Sequence, residues 1–232
     1  MAYSRRNLIV GLISWLVCVT AVAAQTASSA ARQVSFTVFS AQPVTQLAYR
    51  PRPGAVPVAL DFYPTARSPQ YTYNGPPALQ IIESGTGSVV AEVMLPAGIR
   101  KALFIFSEVE SAPTRGVRYR VQVMDDSMQR HEAGTLLILN FSGLPLAGTL
   151  NGRPVILRKG FNEPMRVGDS AAIELRTPFK TRSYQAYAET LSAGKSGRAL
   201  LLLLPPYRRG SLEVQSRVLL DAPAPEDRET RR

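Results

Sequence analysis

Apolar residues in this chain recur with a period of two, and that periodicity restricts it to β-structure. Val34, Phe36 and Val38 alternate with Ser35 and Thr37, and Val117, Tyr119, Val121 and Val123 alternate with Arg118, Arg120 and Gln122. Successive side chains of a strand point to opposite faces, so each alternation describes a strand with one buried face. Further strands are predicted at 57–62, 78–82, 88–94, 102–106, 135–141, 154–158, 171–176, 182–190, 199–204 and 211–220. Asn151-Gly152 stands between two apolar segments, the pattern of a tight hairpin, because a type I′ turn needs two residues that tolerate positive φ. No stretch beyond the amino-terminal segment pairs a 3.6-residue period with helix caps. The fold class is all-β.

Two segments of the chain resemble each other. Lys101-Ala102-Leu103-Phe104-Ile105-Phe106, a loop and residues 116–125 parallel Arg198-Ala199-Leu200-Leu201-Leu202-Leu203, a loop and residues 210–221. In each, a basic residue opens a continuously apolar strand and an alternating strand follows. A continuous run suits a strand covered on both faces. The repeat divides the chain into 33–126 and 127–221, each near the ~100 residues of an immunoglobulin-like sandwich. Two tandem immunoglobulin-like β-sandwich domains are the first reading, and one larger sandwich or barrel is the second. Residues 25–32 read as a linker and 222–232 as a disordered tail; the proline-broken segments 50–57 and 64–77 read as mobile surface loops.

The amino terminus carries a compartment signal. Arg5 and Arg6 precede the apolar run from Leu8 to Val19, and the small residues Ala21, Ala23 and Ala24 follow. That order describes a secretory signal over 1–24, cleaved after Ala23 or Ala24, and so an exported protein of the periplasm or cell surface. The alternative is an uncleaved anchor, which would be the chain's only contact with a membrane. Ser4-Arg5-Arg6 leaves the twin-arginine route open beside the general one. Cleavage removes Cys18, the single cysteine, so no disulfide is expected in the mature chain; it also lowers the net charge from +10 to +8.

Composition excludes more chemistry than it supplies. With one His and one Cys, no cage of several such ligands can be assembled, and neither metal nor cofactor is expected. His131, between Arg130 and Glu132, reads as an exposed imidazole in the interdomain loop. Ser192 and Lys195 have S-x-x-K spacing in a Gly-containing loop, where a solvated turn is the simpler reading. Asp125-Asp126 would be half of a hydrolytic carboxylate pair, but adjacent strand residues face opposite ways, and a strand-end turn accounts for them. Asp61 reads as a solvent-facing position, and Asn140-Phe141-Ser142, a formal glycosylation sequon, as turn chemistry.

The basic residues are the most suggestive. Arg118 and Arg120 share a strand face, and Arg158-Lys159 and Arg208-Arg209 stand at loops near Phe161 and Tyr207. Clustered cations beside aromatics can hold an acidic glycan or lipid phosphate, and charged strand edges also deter aggregation. Nucleic acid is not expected for an exported chain without a recognised binding motif.

The segments Val121 to Ser127, Gly134 to Leu146, Leu157 to Gly160 and Arg198 to Leu203 resemble those of uncharacterised exported β-sandwich proteins of verrucomicrobial-type bacteria. That resemblance implies the fold and brings no activity or catalytic residue. Periplasmic pilus chaperones are similar in size, signal and charge, and in carrying two immunoglobulin-like domains; their first-domain P-x-D-R-E segment has no counterpart here, so the similarity is architectural. The functional expectation is a non-catalytic envelope or surface protein that binds or assembles through loops and strand edges. The alternative is a module gripping polyanions or glycans through its Arg-rich faces, and a carboxylate-based hydrolase is third.

Overall fold

The structure is a computed structural model that describes residues 31–44, 46–109, 116–192 and 197–221. The signal, most of the linker, Ala193 to Ser196 of the S-x-x-K loop and the tail lie outside the described residues. Within them the chain is all-β. The first half contains β1 (Arg32–Ser40), β2 (Leu47–Tyr49), β3 (Val58–Ala59), β4 (Tyr71–Gly75), β5 (Ala78–Glu83), β6 (Val89–Met94), β7 (Lys101–Glu108) and β8 (Tyr119–Asp125). The second contains β9 (Thr135–Asn140), β10 (Leu146–Leu150), β11 (Arg153–Leu157), β12 (Gly160–Phe161), β13 (Met165–Arg166), β14 (Ser170–Phe179), β15 (Arg182–Ser192), β16 (Ala199–Leu204) and β17 (Gln215–Leu220).

These strands form four sheets. Sheet A has the order β4-β1-β7-β8 and sheet B the order β3-β2-β5-β6; sheet C is β12-β9-β16-β17, with β13 also on β9, and sheet D is β11-β10-β14-β15. Alternate residues of sheets A and B, among them Phe36, Tyr49, Ile81 and Phe104, enclose one core. Sheets C and D enclose a second around Ile138, Ile173, Leu175 and Leu201. In sheets A and C the central pair is parallel, β1 with β7 and β9 with β16.

A third core lies between these two sandwich-like pairs. Phe39, Leu103, Ile105 and Met124 of sheet A pack with Leu137, Leu139, Leu200, Leu202 and Leu219 of sheet C. Odd and even residues of β7 therefore enter different cores, Phe104 the first and Leu103 the third, and Leu201 and Leu202 of β16 separate in the same way. This is why both segments are continuously apolar, and it stacks the sheets in the order B, A, C, D.

Most predicted strands form; the differences lie at 57–62, 64–77 and 211–220, the last forming only as Gln215–Leu220, and the short strands β2, β10, β12 and β13 are not among those predicted. The segment 64–77 is not one long loop: Tyr71 and Tyr73 point into the first core from β4, which pairs with β1. The alternation Tyr71-Thr72-Tyr73-Asn74 is the strand signal, set between flanking prolines. Ser68 in the same segment is tied down as well, since its Oγ accepts from the Val38 amide at 2.7 Å and its own amide donates to Val38 O at 3.1 Å. The strand predicted over 57–62 shrinks to Val58–Ala59. The Asn-Gly turn forms as expected, with φ of 49° at Asn151 and 74° at Gly152.

Gly148 is set by close approach, since a Cβ there would overlap the carbonyl oxygen of Glu174 on β14. Gly148→Ala should therefore force β10 off β14 and cost roughly 3 kcal/mol or more, read as a lowered urea midpoint; an unchanged midpoint would show that the two strands do not pair so closely.

Candidate ligand cleft

The third core has two ends, and both carry polar groups. At the end where β7 and β16 begin, Asp126 and Asp221 occupy equivalent places after β8 and β17, their amides donating to Lys101 O and Arg198 O. The Arg198 side chain is 2% exposed and meets both carboxylates, Nη2 lying 3.3 Å from Asp126 Oδ1 and Nε bonding Asp221 Oδ2. Its Nη1 donates to Asp126 O at 2.9 Å and to His131 O at 3.2 Å. Arg67 mirrors it, with contacts of 3.3 Å to Asp126 Oδ1 and 2.9 Å to Asp221 Oδ1. Two guanidiniums and two carboxylates thus lock the halves together.

Arg198 also draws the connecting loop inward. His131 is buried, which corrects the expectation of an exposed imidazole: its backbone carbonyl serves Arg198, its Nε2 lies 3.4 Å from Thr135 O, and its Nδ1 has no hydrogen-bond partner. Burial, and then the neighbouring Arg198 charge, hold the His131 pKa below its ordinary 6.5. Asp125 does what a strand-end Asp was expected to do, accepting from the Ser127 amide at 3.0 Å, whereas Asp126 serves the lock. Asp61 is exposed, as expected, but it lies beyond β3 rather than in the alternation of a strand.

At the opposite end the third core opens into a cleft of about 1150 Å³. The carboxyl ends of β1, β7, β9 and β16 converge there, so Phe39, Ile105, Phe141 and Leu202 form an apolar floor. The sheets cannot continue the contact because the apolar pattern stops: β7 ends in Ser107-Glu108, and β16 runs into Pro205-Pro206, which cannot extend a ladder. Gln122 of β8 and Gln215 and Arg217 of β17 line the walls, and Tyr207 stands 87% exposed at the rim. Arg217 is half-buried; Nη1 donates to Ser216 O at 2.7 Å, and no carboxylate among the described residues pairs with it. Asn140 holds the neighbouring turn, accepting from Ser142 Oγ at 2.6 Å and donating to Leu144 O at 3.1 Å, so the sequon is turn chemistry.

The six basic residues singled out from the sequence divide. Lys159 lines the cleft, with Arg158 beside it; Arg208 and Arg209 follow Tyr207 on an adjoining exposed turn. Arg120 lies on the Gln122 face of β8, since Tyr119, Val121 and Val123 face the first core. Arg118 is engaged elsewhere, 2.7 Å from Glu83 Oε1 on sheet B. Hydrogen bonds from Thr86 and then from Arg118 hold the Glu83 carboxyl below its usual range. Arg217 was not singled out, although the repeat signals it by placing it where Gln122 stands in the first half.

No protein-family model matches the chain, and no protein of curated function matches it. Among the described residues no group of three or more His, Cys, Asp and Glu is arranged to hold a metal ion.

The lock makes two predictions. Arg198→Ala leaves the buried Asp126 carboxylate short of compensation and should cost about 3 kcal/mol in denaturant unfolding; a loss within error of zero would show that Arg67 suffices. Because the folded pKa of His131 is depressed, the folded chain binds fewer protons than the unfolded chain below pH 6.5. Its contribution is complete above that pH and is lost as pH falls, by up to about 1.4 kcal/mol per pH unit. His131→Gln should flatten stability between pH 7 and 5, and an unchanged slope would assign the effect to other groups.

Proposed function

We propose that this is a non-catalytic binding protein of the cell envelope, exported by its amino-terminal signal and built of two tandem immunoglobulin-like sandwiches that seat a partner between them. The observation that carries this reading is the cleft at the end of the third core, to which both halves contribute floor and walls. Ligand sites occur preferentially at such junctions, where an apolar floor supplies area and a few placed polar groups supply orientation. Glu108 is the one carboxylate among the described lining residues, whereas glycoside hydrolysis needs a pair; this supports binding over hydrolysis.

The alternative of a polyanion-binding module gains from one observation: Lys159 and Tyr207 line the same cleft, which brings Arg158, Arg208 and Arg209 to its surroundings. The test uses the full chain in its native cell. A partner should co-purify from the envelope fraction with wild type and fall about tenfold for Ser107→Trp, which fills the cleft from an exposed position. Recovery of wild type only as a partner-free monomer would overturn the reading.

A further inference from the structure

We infer that the cleft takes an acidic oligosaccharide, its carboxylate on Arg217 and Lys159 and its hydroxyls on the glutamines of the walls; this rests on the cleft being the binding site. A guanidinium standing at the wall of a cleft is complementary to an anion that enters it. Arg217 is half-buried, Lys159 lines the same cleft, and neither has a carboxylate partner among the described residues. Glu108 is the opposing charge, so the lining carries an excess of positive charge. An anion is the complementary ligand, and a planar carboxylate suits the fork of an arginine.

The remaining groups distinguish a sugar from other anions. Gln122 and Gln215 carry side-chain amides, which both donate and accept and so match hydroxyls that do the same. Gln215 Nε2 is committed to Pro205 O at 2.8 Å, which fixes the amide and leaves its oxygen to accept. The exposed Tyr207 offers a flat apolar face with a polar tip. A peptide captured by strand addition would need a row of free backbone N–H and C=O groups along a sheet edge. Here the floor is made where strands end, and Gln122, Gln215 and Arg217 enter from sheet faces. Side chains rather than main chain do the recognising.

The test is calorimetric titration of the purified full chain with hexagalacturonate, its fully methyl-esterified form and hexaglutamate. The free acid should bind about tenfold or more tightly than either of the others. Arg217→Gln and Lys159→Gln should each weaken it about tenfold, with Tyr207→Ala also weakening it and Arg118→Gln having no effect. Each variant is first checked for an unchanged thermal midpoint, and Lys159 is exposed, so its replacement tests the idea even if Arg217→Gln unfolds.

Equal binding of hexaglutamate would replace the sugar with a peptide or with charge alone, and equal binding of the ester would remove the carboxylate. No binding of the acid, or indifference to both cation substitutions, would overturn the inference. If hexagalacturonate fails while Ser107→Trp still releases the envelope partner, the cleft remains the binding site and only the sugar is wrong. If Ser107→Trp alters neither, both readings fall.

Discussion

The contact between sheets A and C is the constraint on which the rest of the molecule depends. A strand with one apolar face can be completed by a single partner sheet, and water solvates its other face. β7 and β16 have two apolar faces, with Leu103, Ile105, Leu200 and Leu202 pointing away from the core of their own sheet pair. Each such side chain gains roughly 1.5–3 kcal/mol on burial. Neither sheet pair can satisfy these residues alone, so the association of the halves belongs to the fold itself. The cleft is the other consequence of the same pattern, opening where the outward apolar residues give out.

An aliphatic interface is non-directional and by itself leaves register weakly specified. The Arg67, Arg198, Asp126 and Asp221 cluster supplies direction at one end. Its charges must be taken from water, and that cost makes such a cluster a weak source of net stability. We assign it to registration: Arg198 holds the carboxylates that close both hairpins together with the carbonyls of the loop joining the halves. With register fixed at that end, the distant walls of the cleft are fixed as well.

Much of this was legible in the sequence, because strand alternation is a local pattern. The continuous runs from Lys101 and Arg198 signalled strands covered on both faces, and the Asn151-Gly152 turn followed from backbone sterics. What escaped was set by contacts distant in sequence. His131 sits between charged neighbours and looks exposed; it is buried because Arg198, far along the chain, reaches the carbonyl of its loop. Arg67 lies in a proline-broken segment and reveals nothing until Asp221 comes beside it. The basic residues could be picked out from composition, but only the fold separates Arg118, held by Glu83, from Lys159 in the cleft.

The two copies of the repeat differ in a way that follows from these constraints. At the locked end both hairpins close on Asp, and substitution of either would strip Arg198 of a partner in a buried setting, so the residue type is fixed by desolvation. Toward the cleft the apolar pairs end, and equivalent positions no longer pack against each other. Gln122 in the first half answers to Arg217 in the second, and Arg120 answers to Gln215. Freed from packing, each copy carries one cation and one amide in opposite order along its strand. The same pairing of sheets that demands likeness in the core and at the lock therefore permits difference at the cleft, and a site able to tell one end of an asymmetric ligand from the other requires that difference.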